Sequence, residues 1–363
     1  MKNQQIKLLE NLVKIPGPSG FEEKIAEFIK KELLDYLPPS CVKIDFQKNV
    51  VGIIKGTSDK VIMVDAHTDQ IGFIVTNVSR DGYREGLISV QYIGGGDTSI
   101  LSARDLVILS SKGKNVNAVV NRKHSHLVED EDEIQITKIR DAIIDIGVRK
   151  RSKVLSIVAV GDPLVYKPSF NHLTEGYFSG YGFDDRSGCY ILLETIREII
   201  KSKRKPIPTL IFAFSGQEET GGGKCKPLIR KYRPDLFIEL DVTFATDCGT
   251  DEEMETEVGC CELNKGLVLY KGVDIDKNYV ELMDLVARSN KIRIQYQAAT
   301  GQVGYTPTSL SSEGNGIRNL IMGIPLRNTH SPTEIINLND LNSGTQLLVK
   351  FLQHRNIIVP LVD

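Results

Sequence analysis

Five residues of types that commonly bind metal ions stand at or just after the end of an apolar run, or at the start of a helical stretch. They are His67, Asp184, Glu219, Asp241 and His330. The runs are short, rich in β-branched and aromatic residues and closed by polar ones, as buried parallel strands are. They are VIMVDAHTD (61–69), TLIFAFSGQEE (209–219), LFIELDVT (236–243) and NLIMGIPLRNTH (319–330). Side chains at the carboxyl ends of parallel strands converge on one crevice of an open α/β sheet. We therefore expect these five side chains to meet at one site.

Two imidazoles and three carboxylates suit a pair of zinc-like ions. One ligand must reach both ions, which a carboxylate can do and a neutral imidazole cannot, so Asp184 is the expected bridge. We expect His67 and Asp241 to complete the ligand set of one ion, and Glu219 and His330 that of the other. Three carboxylates and a hydroxide would balance the charge of two divalent ions, which suits a buried site.

Two more carboxylates have predicted roles beside these ligands. Asp69 lies two residues after His67, and that spacing in a strand puts both side chains on one face, where Asp69 would accept the second imidazole N–H and fix the tautomer. Glu218 precedes Glu219, and adjacent residues at a strand end point in different directions. Glu218 is then the expected general base, which takes a proton from water and delivers it to a leaving amine.

Each of these residues also has an ordinary structural interpretation. A single histidine after a strand is usually a core or surface residue, Asp241 would fit a turn, and the pairs Asp184–Asp185 and Glu218–Glu219 would fit helix N-termini, which favour negative charge. The combination favours a site, because charges at the ends of core elements are expensive to solvate by protein alone.

Other segments contain residues that could take part in catalysis or binding, but their patterns are less specific. The glycine runs at 94–96 and 221–223 lack a phosphate-loop context, and SLSSEG (309–314) has no nucleophile elbow. His124 and His126 alternate along a β-prone segment, where we expect no metal site. The acidic run 129–133 is expected to be a solvated loop.

Helical periods and turn signals divide the chain into two predicted domains. Ser19 and Glu22 have capping-box spacing ahead of an apolar helical period. Residues 72–164 alternate short β-prone runs with turn residues and predict an inserted β domain. Strands and helical stretches then alternate again, with helical periods at 186–203, 277–290 and 340–354. The sequence thus predicts an α/β domain over 1–71 and 165–363, with a mostly parallel central sheet flanked by helices.

Composition excludes several classes of function. The chain has 363 residues, of which 41% are hydrophobic, and its 45 basic and 47 acidic residues leave a net charge of -2. This balance indicates a soluble globular protein with no nucleic-acid or membrane partner. The N-terminal segment is charged throughout, unlike a signal peptide, and no apolar stretch is long enough to span a membrane. Six cysteines without CxxC spacing indicate a reduced, cytoplasmic protein.

The chain resembles the cocatalytic metallo-aminopeptidases that form tetrahedral particles, which are related to glutamyl and deblocking aminopeptidases and to proteins labelled cellulase M. The resemblance runs nearly end to end through an ordered set of motifs: IPGPSGFEE (15–23), AHTDQIGFIV (66–75), GGGD (94–97), DIGV (145–148), VGDPLVY (160–166), FDDR (183–186), FSGQEETG (214–221), ELDVT (239–243) and IPLRNTHSP (324–332). It implies a zinc-peptidase-like fold with a small barrel-like insert that takes part in subunit assembly. It also implies two zinc or cobalt ions per subunit, the ligands, base and orienting residue assigned above, and homo-oligomers built from dimers up to dodecamers.

Three segments depart from the family pattern. Gln70 stands where the family usually has Glu, SLSSEGNG (309–316) replaces a GTDA-like segment, and QEETGGGKC (217–225) differs after the paired acids. All predicted ligands are retained. The favoured hypothesis is an enzyme that removes N-terminal residues from short peptides by a two-metal-activated hydroxide with Glu218 as base. A deacylase or other amidohydrolase on the same site, and a non-catalytic binding or scaffold protein, stay open as alternatives.

Overall fold

Strands account for the apolar runs of the sequence in the structure, a computed structural model that describes residues 2–80, 82–124, 126, 138–221, 225–249, 252–300 and 316–361. In chain order the strands are β1 (Val42–Ile44), β2 (Val50–Ile54), β3 (Val61–His67), β4 (Gly72–Val78), β5 (Ile88–Ile93), β6 (Asp105–Ile108), β7 (Val116–Val120), β8 (Ile143–Asp145), β9 (Pro163–Tyr166), β10 (Phe170–His172), β11 (Tyr177–Gly180), β12 (Thr209–Ser215), β13 (Leu236–Phe244), β14 (Leu267–Gly272), β15 (Ile294–Ala299), β16 (Arg318–Leu326) and β17 (Glu334–Asn337).

The predicted helical periods correspond to helices with slightly different ends. In chain order the helices are α1 (Lys2–Lys14), α2 (Glu23–Leu34), α3 (Arg151–Leu155), α4 (Phe183–Ser202), α5 (Cys225–Tyr232), α6 (Glu252–Val258), α7 (Lys277–Ser289) and α8 (Leu338–Leu352). Asp184 and Asp185 have non-helical backbone angles within the first turn of α4, so the regular helix begins after them. Among the described residues, no helix is both long enough and apolar enough to cross a membrane.

An eight-stranded sheet forms the centre of the fold, in the order β1-β2-β12-β3-β13-β16-β14-β15. The four central strands, β12, β3, β13 and β16, pair in parallel. Antiparallel pairs join β1 to β2, β2 to β12 and β14 to β16. The prediction of a mostly parallel sheet is confirmed, and the carboxyl ends of all four central strands lie at one edge.

Helices cover both faces of this sheet, which explains why its central strands are apolar on both sides. Alternate residues of β3 point to opposite faces, so Ile62 and Val64 join the larger core, in which residues of α1, α2, α4, α7 and α8 also lie. Met63 instead packs with Leu228 and Ile229 of α5 in a smaller cluster. Burial on both faces holds the strand ends rigidly, as a precise site requires.

Strands β4 to β9 form a closed barrel in the order β4-β5-β8-β7-β6-β9, which confirms the predicted barrel-like insert. The barrel has an apolar core of its own, and in it the rings of Phe73 and Tyr166 pack edge to face with their centroids 5.4 Å apart. Its first strand begins at Gly72, five residues after His67, and its last ends at Tyr166.

The predicted capping box is wrong. Helix α2 begins at Glu23, and its N-cap residue Glu22 makes no capping hydrogen bond through its side chain. The Ser19 hydroxyl instead donates to the buried carboxylate of Asp69, while Glu22 Oε1 accepts from the backbone N–H groups of Gly20 and Gln217. Tertiary contacts thus take both side chains away from the helix end.

Candidate metal centre

The structure brings all five predicted ligands to one cavity of about 550 Å³. His67 is the last residue of β3, and Asp241 lies in β13, three positions before its end. Glu219 and His330 are each the fourth residue after the end of a strand, β12 and β16 respectively, and Asp184 precedes the regular part of α4. The convergence follows from the parallel alignment of these strands, which leaves their following loops no other edge to occupy.

The first half of the centre consists of His67, Asp184 and Asp241. His67 Nε2 lies 3.0 Å from Asp184 Oδ1 and 3.8 Å from Asp241 Oδ1. Ligand atoms on a tetrahedral zinc ion, with bonds of about 2.0–2.1 Å, stand about 3.3 Å apart. The observed separations lie on either side of that value.

The second half uses the other oxygen of the same aspartate. His330 Nε2 lies 3.4 Å from Asp184 Oδ2 and 3.2 Å from Glu219 Oε2. Each oxygen of Asp184 therefore faces its own imidazole, and each imidazole has a second carboxylate beside it. A bridging aspartate would need this arrangement, and the bridging role of Asp184 stays a prediction.

Asp185 is a nearby acid to which the sequence assigned no role. Within the described part of the chain, two sets of three residues have ligand atoms within 4.8 Å of one another. One set is Asp185 with His67 and Asp241, and the other is His67 with Asp184 and Glu219. Asp185 Oδ1 accepts the backbone N–H of Gly188 at 2.9 Å, and its other oxygen is buried without a partner among the described residues. We favour Asp184 over Asp185 as the ligand because only Asp184 contacts both histidines.

Glu218 lines the cavity beside the ligands and is half-buried. Burial raises the pKa of Glu218 to about 7; the charge of His67 opposes this rise, and the charges of Asp241 and Asp184 add to it. A carboxyl with such a pKa exchanges protons near neutral pH, which is what a general base requires.

Asp69 lies beneath the centre and connects three segments of the chain. It is fully buried, and it accepts hydrogen bonds from the Ser19 hydroxyl and from the backbone N–H groups of Glu218 and Glu219 at 3.1 and 3.2 Å. Its Oδ1 lies 3.4 Å from His67 Nδ1. Asp69 therefore fixes the loop that carries Glu218, the predicted base, and Glu219, a predicted ligand, in addition to lying beside the imidazole.

Glu334, at the start of β17, is a residue that sequence reasoning missed. Its Oε2 accepts the backbone N–H groups of Gly182, Phe183 and Asp184 at 2.9, 2.7 and 3.4 Å, and its Oε1 accepts that of His330 at 3.2 Å. Burial raises the pKa of Glu334 well above its ordinary value, and these backbone bonds oppose the rise. Three of its four partners lie about 150 positions earlier in the sequence, so no local sequence pattern identifies this residue.

The electrostatics of the centre call for positive charge. Burial, reinforced by the charge of Asp184, raises the pKa of Glu219 and of Asp241 to about 7. Burial also opposes ionisation of Asp184, yet hydrogen bonds from His330 and His67 hold its pKa below the ordinary value. Protons on the imidazoles thus stabilise the acids here, and divalent cations would supply the same charge.

The residues present fit a metal ion by a further criterion, the buried polar atoms that lack partners. Glu219 Oε1 is buried without a hydrogen bond among the described residues, although buried polar atoms are nearly always paired. Mixed imidazole and carboxylate donors are those that zinc and its neighbours prefer.

The remaining segments singled out in the sequence lie in different places. Gly95 approaches the His330 ring so closely that an added Cβ would lie 3.1 Å from Nδ1. Gln70 is buried, accepts the backbone N–H of Gly17 and donates to the carbonyl of Tyr181. His124 and His126 are exposed and are not among the residues that line the cavity. Residues 129–133, 222–223 and 309–315 lie outside the described residues.

Comparison with known proteins relates the chain to one family of peptidases. Residues 48–347 match the family model described as M42 glutamyl aminopeptidase. The chain is 27% identical over 348 residues to a lysyl aminopeptidase of Pyrococcus furiosus, an alignment that covers 95% of this chain and 96% of that protein.

Solved structures of TET aminopeptidases have the same fold. The TET aminopeptidase from the marine sediment archaeon Thaumarchaeota archaeon SCGC AB-539-E09 superposes with a TM-score of 0.89 at 25% identity and covers 99% of both chains. The TET1 peptidase of Pyrococcus horikoshii, described as able to assemble into a tetrahedron or a large octahedral shell, superposes with a TM-score of 0.82 at 27% identity, over 96% of this chain and 99% of that one.

Proposed function

The chain belongs to the M42 glutamyl aminopeptidase family, and on that premise we propose that it removes N-terminal residues from short peptides at a centre of two divalent ions, zinc or cobalt. Family membership confirms the resemblance to tetrahedral metallo-aminopeptidases. M42 peptidases are metallopeptidases, and the described residues include candidate metal ligands.

One observation carries the two-ion proposal. The two oxygens of Asp184 lie 3.0 Å from His67 Nε2 and 3.4 Å from His330 Nε2, on two separate imidazoles. A single ion would use one of these groups and leave the other imidazole and its carboxylate unused. The proposed ligand sets are His67, Asp184 and Asp241 for one ion and His330, Asp184 and Glu219 for the other.

The reaction is the hydrolysis of the first peptide bond. When bound, the divalent ions would polarise the scissile carbonyl and lower the pKa of the attacking water. Glu218 accepts a proton as the water oxygen joins the carbonyl carbon, and it delivers that proton to the nitrogen of the leaving amine as the C–N bond breaks. Asp69 holds the His67 ring and, through the backbone N–H of Glu218, the position of the base.

The barrel suits a role in assembly and access to the site. The barrel is closed and has an apolar core of its own, so it can contact a partner subunit as a compact unit. Since the TET1 peptidase of Pyrococcus horikoshii assembles into shells, we propose a homo-oligomer in which residues 72–164 form an inserted domain that contributes to assembly. All six cysteines carry free thiols, which supports the proposal of a cytoplasmic location.

A product assay tests the proposed reaction directly. Purified protein loaded with zinc or cobalt is incubated with a mixed pool of unblocked peptides, and the products are identified by mass spectrometry. We expect ladders shortened from the amino end, which disappear on chelation and are absent from N-acetylated peptides. An unchanged pool in a sample that retains two ions per chain would refute the aminopeptidase proposal and favour a deacylase.

A further inference from the structure

The cavity continues past the proposed ligands over the sheet face of β16, β14 and β15. Its floor there includes Ile321, Tyr270 and Gln297, and its side is formed by Phe244 together with Glu257 and Val258 of α6. When a peptide binds with its α-amine and first carbonyl at the metal centre, its N-terminal residue is the one beside the ligands. The space beyond the ligands is therefore available to the side chain of the N-terminal residue.

The floor of this extension is polar and rigidly arranged. Thr243 Oγ1 lies 2.6 Å from the Tyr270 hydroxyl and donates to Gln297 Oε1 at 2.6 Å, and all three residues are buried. Gln297 Nε2 has no hydrogen-bond partner among the described residues. Together with the apolar Ile321 and Val258, this lining accommodates a long side chain that has an apolar stem and a polar end.

Charge in the extension has one sign. Among the described residues that line the cavity, Glu257 is the only charged side chain outside the proposed ligands and base. It is exposed, and within the described part of the chain no hydrogen bond or ion pair engages its carboxylate. The proposed ligands compensate bound cations, so the charge of Glu257 stays available to a substrate.

Two cations that are close in sequence to the cavity lining, Arg327 and Lys271, are directed elsewhere. Arg327 forms two hydrogen bonds with the carboxylate of Asp247, at 2.8 and 2.7 Å, and does not line the cavity. Lys271 follows Tyr270 in β14, so its side chain points to the opposite face, where its Nζ lies 3.6 Å from the centre of the Tyr296 ring. The sequence 301–315, which follows the cavity residue Thr300, contains no Lys or Arg.

We propose that this enzyme prefers peptides with a basic N-terminal residue over those with an acidic one, and that Glu257 is the residue that determines the preference. The proposal rests on the proposed aminopeptidase function and specifies its substrate class. An ammonium or guanidinium group at the end of a long stem would lie against Ile321 and Val258 and approach Glu257. A carboxylate would meet the like charge of Glu257 with no described cation to offset it.

The test compares three tripeptides that differ only at the first residue, Lys-Ala-Ala, Leu-Ala-Ala and Glu-Ala-Ala. We expect metal-loaded enzyme to have a kcat/KM for the lysyl peptide about tenfold or more above that for the glutamyl peptide, as two opposed interactions with one partly screened charge would give. In the Glu257→Gln variant, the lysyl-to-leucyl ratio of kcat/KM should fall about two- to fivefold, the effect of one exposed ion pair. In Glu257→Lys, the glutamyl-to-leucyl ratio should rise by about tenfold, because the charge reverses.

Glu255→Gln is the matched control. Glu255 lies two residues earlier on the same helix and is exposed, but it does not line the cavity, so its removal changes the net charge equally and should leave the ratios unchanged. A wild-type preference for the glutamyl peptide, or ratios that respond equally to the Glu255 and Glu257 variants, would overturn the specificity proposal and leave the aminopeptidase function intact. Failure to cleave any of the three peptides with ions bound would refute both proposals.

Discussion

Glu334 offers a strict test of how this fold positions its metal ligands. Its two oxygens accept four backbone N–H groups, three around Asp184 and one at His330, so a single buried carboxylate fixes two proposed ligands from different loops. His330 also has a backbone φ of 60°, an uncommon conformation for a residue other than glycine, which needs support from its surroundings. Loss of that support should lower the affinity for the ion beside His330 more than the affinity for the ion beside His67.

The substitution Glu334→Gln changes this arrangement by a defined amount. The amide oxygen can replace Oε2 and keep the bonds from Gly182, Phe183 and Asp184, but the amide NH₂ then faces the N–H of His330, where a donor meets a donor. One partly buried N–H is left unpaired, which should lower the free energy of unfolding by about 1 kcal/mol, the low end of the cost of such a group. Displacement of a residue that orients a ligand typically lowers metal affinity about 10- to 100-fold. We expect that loss for the ion proposed at His330, Asp184 and Glu219.

The assay separates stability from metal binding. Urea unfolding of chelated protein gives the first quantity, and competition with a zinc chelator, followed by mass spectrometry of the intact protein, gives the second. Asp340→Asn is the control, because Asp340 is also buried and accepts the backbone N–H groups of Asn264 and Gly266 without contacting a proposed ligand. We expect the control to change the free energy of unfolding and to retain wild-type zinc affinity.

If Glu334→Gln binds both zinc ions within twofold of the wild-type affinity, Glu334 does not position the proposed ligands. In that case the carboxylate is a structural residue of β17 only, and the geometry of Asp184 and His330 is fixed by other contacts. A loss of both ions to the same extent would also contradict that positioning role, because His67 and Asp241 have no contact with Glu334 among the described hydrogen bonds.

Three more outcomes follow from the centre. Glu218→Gln should retain both ions yet lower kcat by about two to four orders of magnitude, the usual range for a general base, and near-normal turnover of a tripeptide would remove Glu218 from the mechanism. His330→Ala should bind one ion per chain instead of two by intact-protein mass spectrometry, so full occupancy would contradict its assignment. Burial raises the pKa of Glu219 and of Asp241 to about 7 in the metal-free chain, so their contribution to stability is fully present below the unfolded values near 4 and is lost as pH rises through about 7. Chelation should therefore lower Tm more at pH 8 than at pH 5, and an equal decrease at both would show that these carboxyls do not titrate in this way.

The local pattern of the sequence is enough to identify the strands that carry the centre and the residues at their ends. The runs before His67 and Asp241 are apolar on both faces apart from Asp65 and Glu239, and the structure buries nearly all of their residues, as is typical of parallel strands in a sheet covered on both faces. Parallel strands share one carboxyl edge, so ligand types at their ends predict convergence without knowledge of the strand order. The motifs that carry the family resemblance lie in the same segments.

Tertiary structure decides which side chains support and surround that centre. Ser19 has the spacing of a helix cap, an interaction worth about 1 kcal/mol, but the buried carboxylate of Asp69 requires donors and takes its hydroxyl instead. Glu334 reaches Asp184 across 150 positions, and Glu257 lines the same cavity as Gln297 of β15. These contacts depend on the order of β16, β14 and β15 in the sheet and on loop paths, and the same apolar runs are compatible with several orders. Residue type and local period therefore predict the candidate ligands, whereas the long-range packing of the chain determines how those side chains are held and which residues line the cavity beside them.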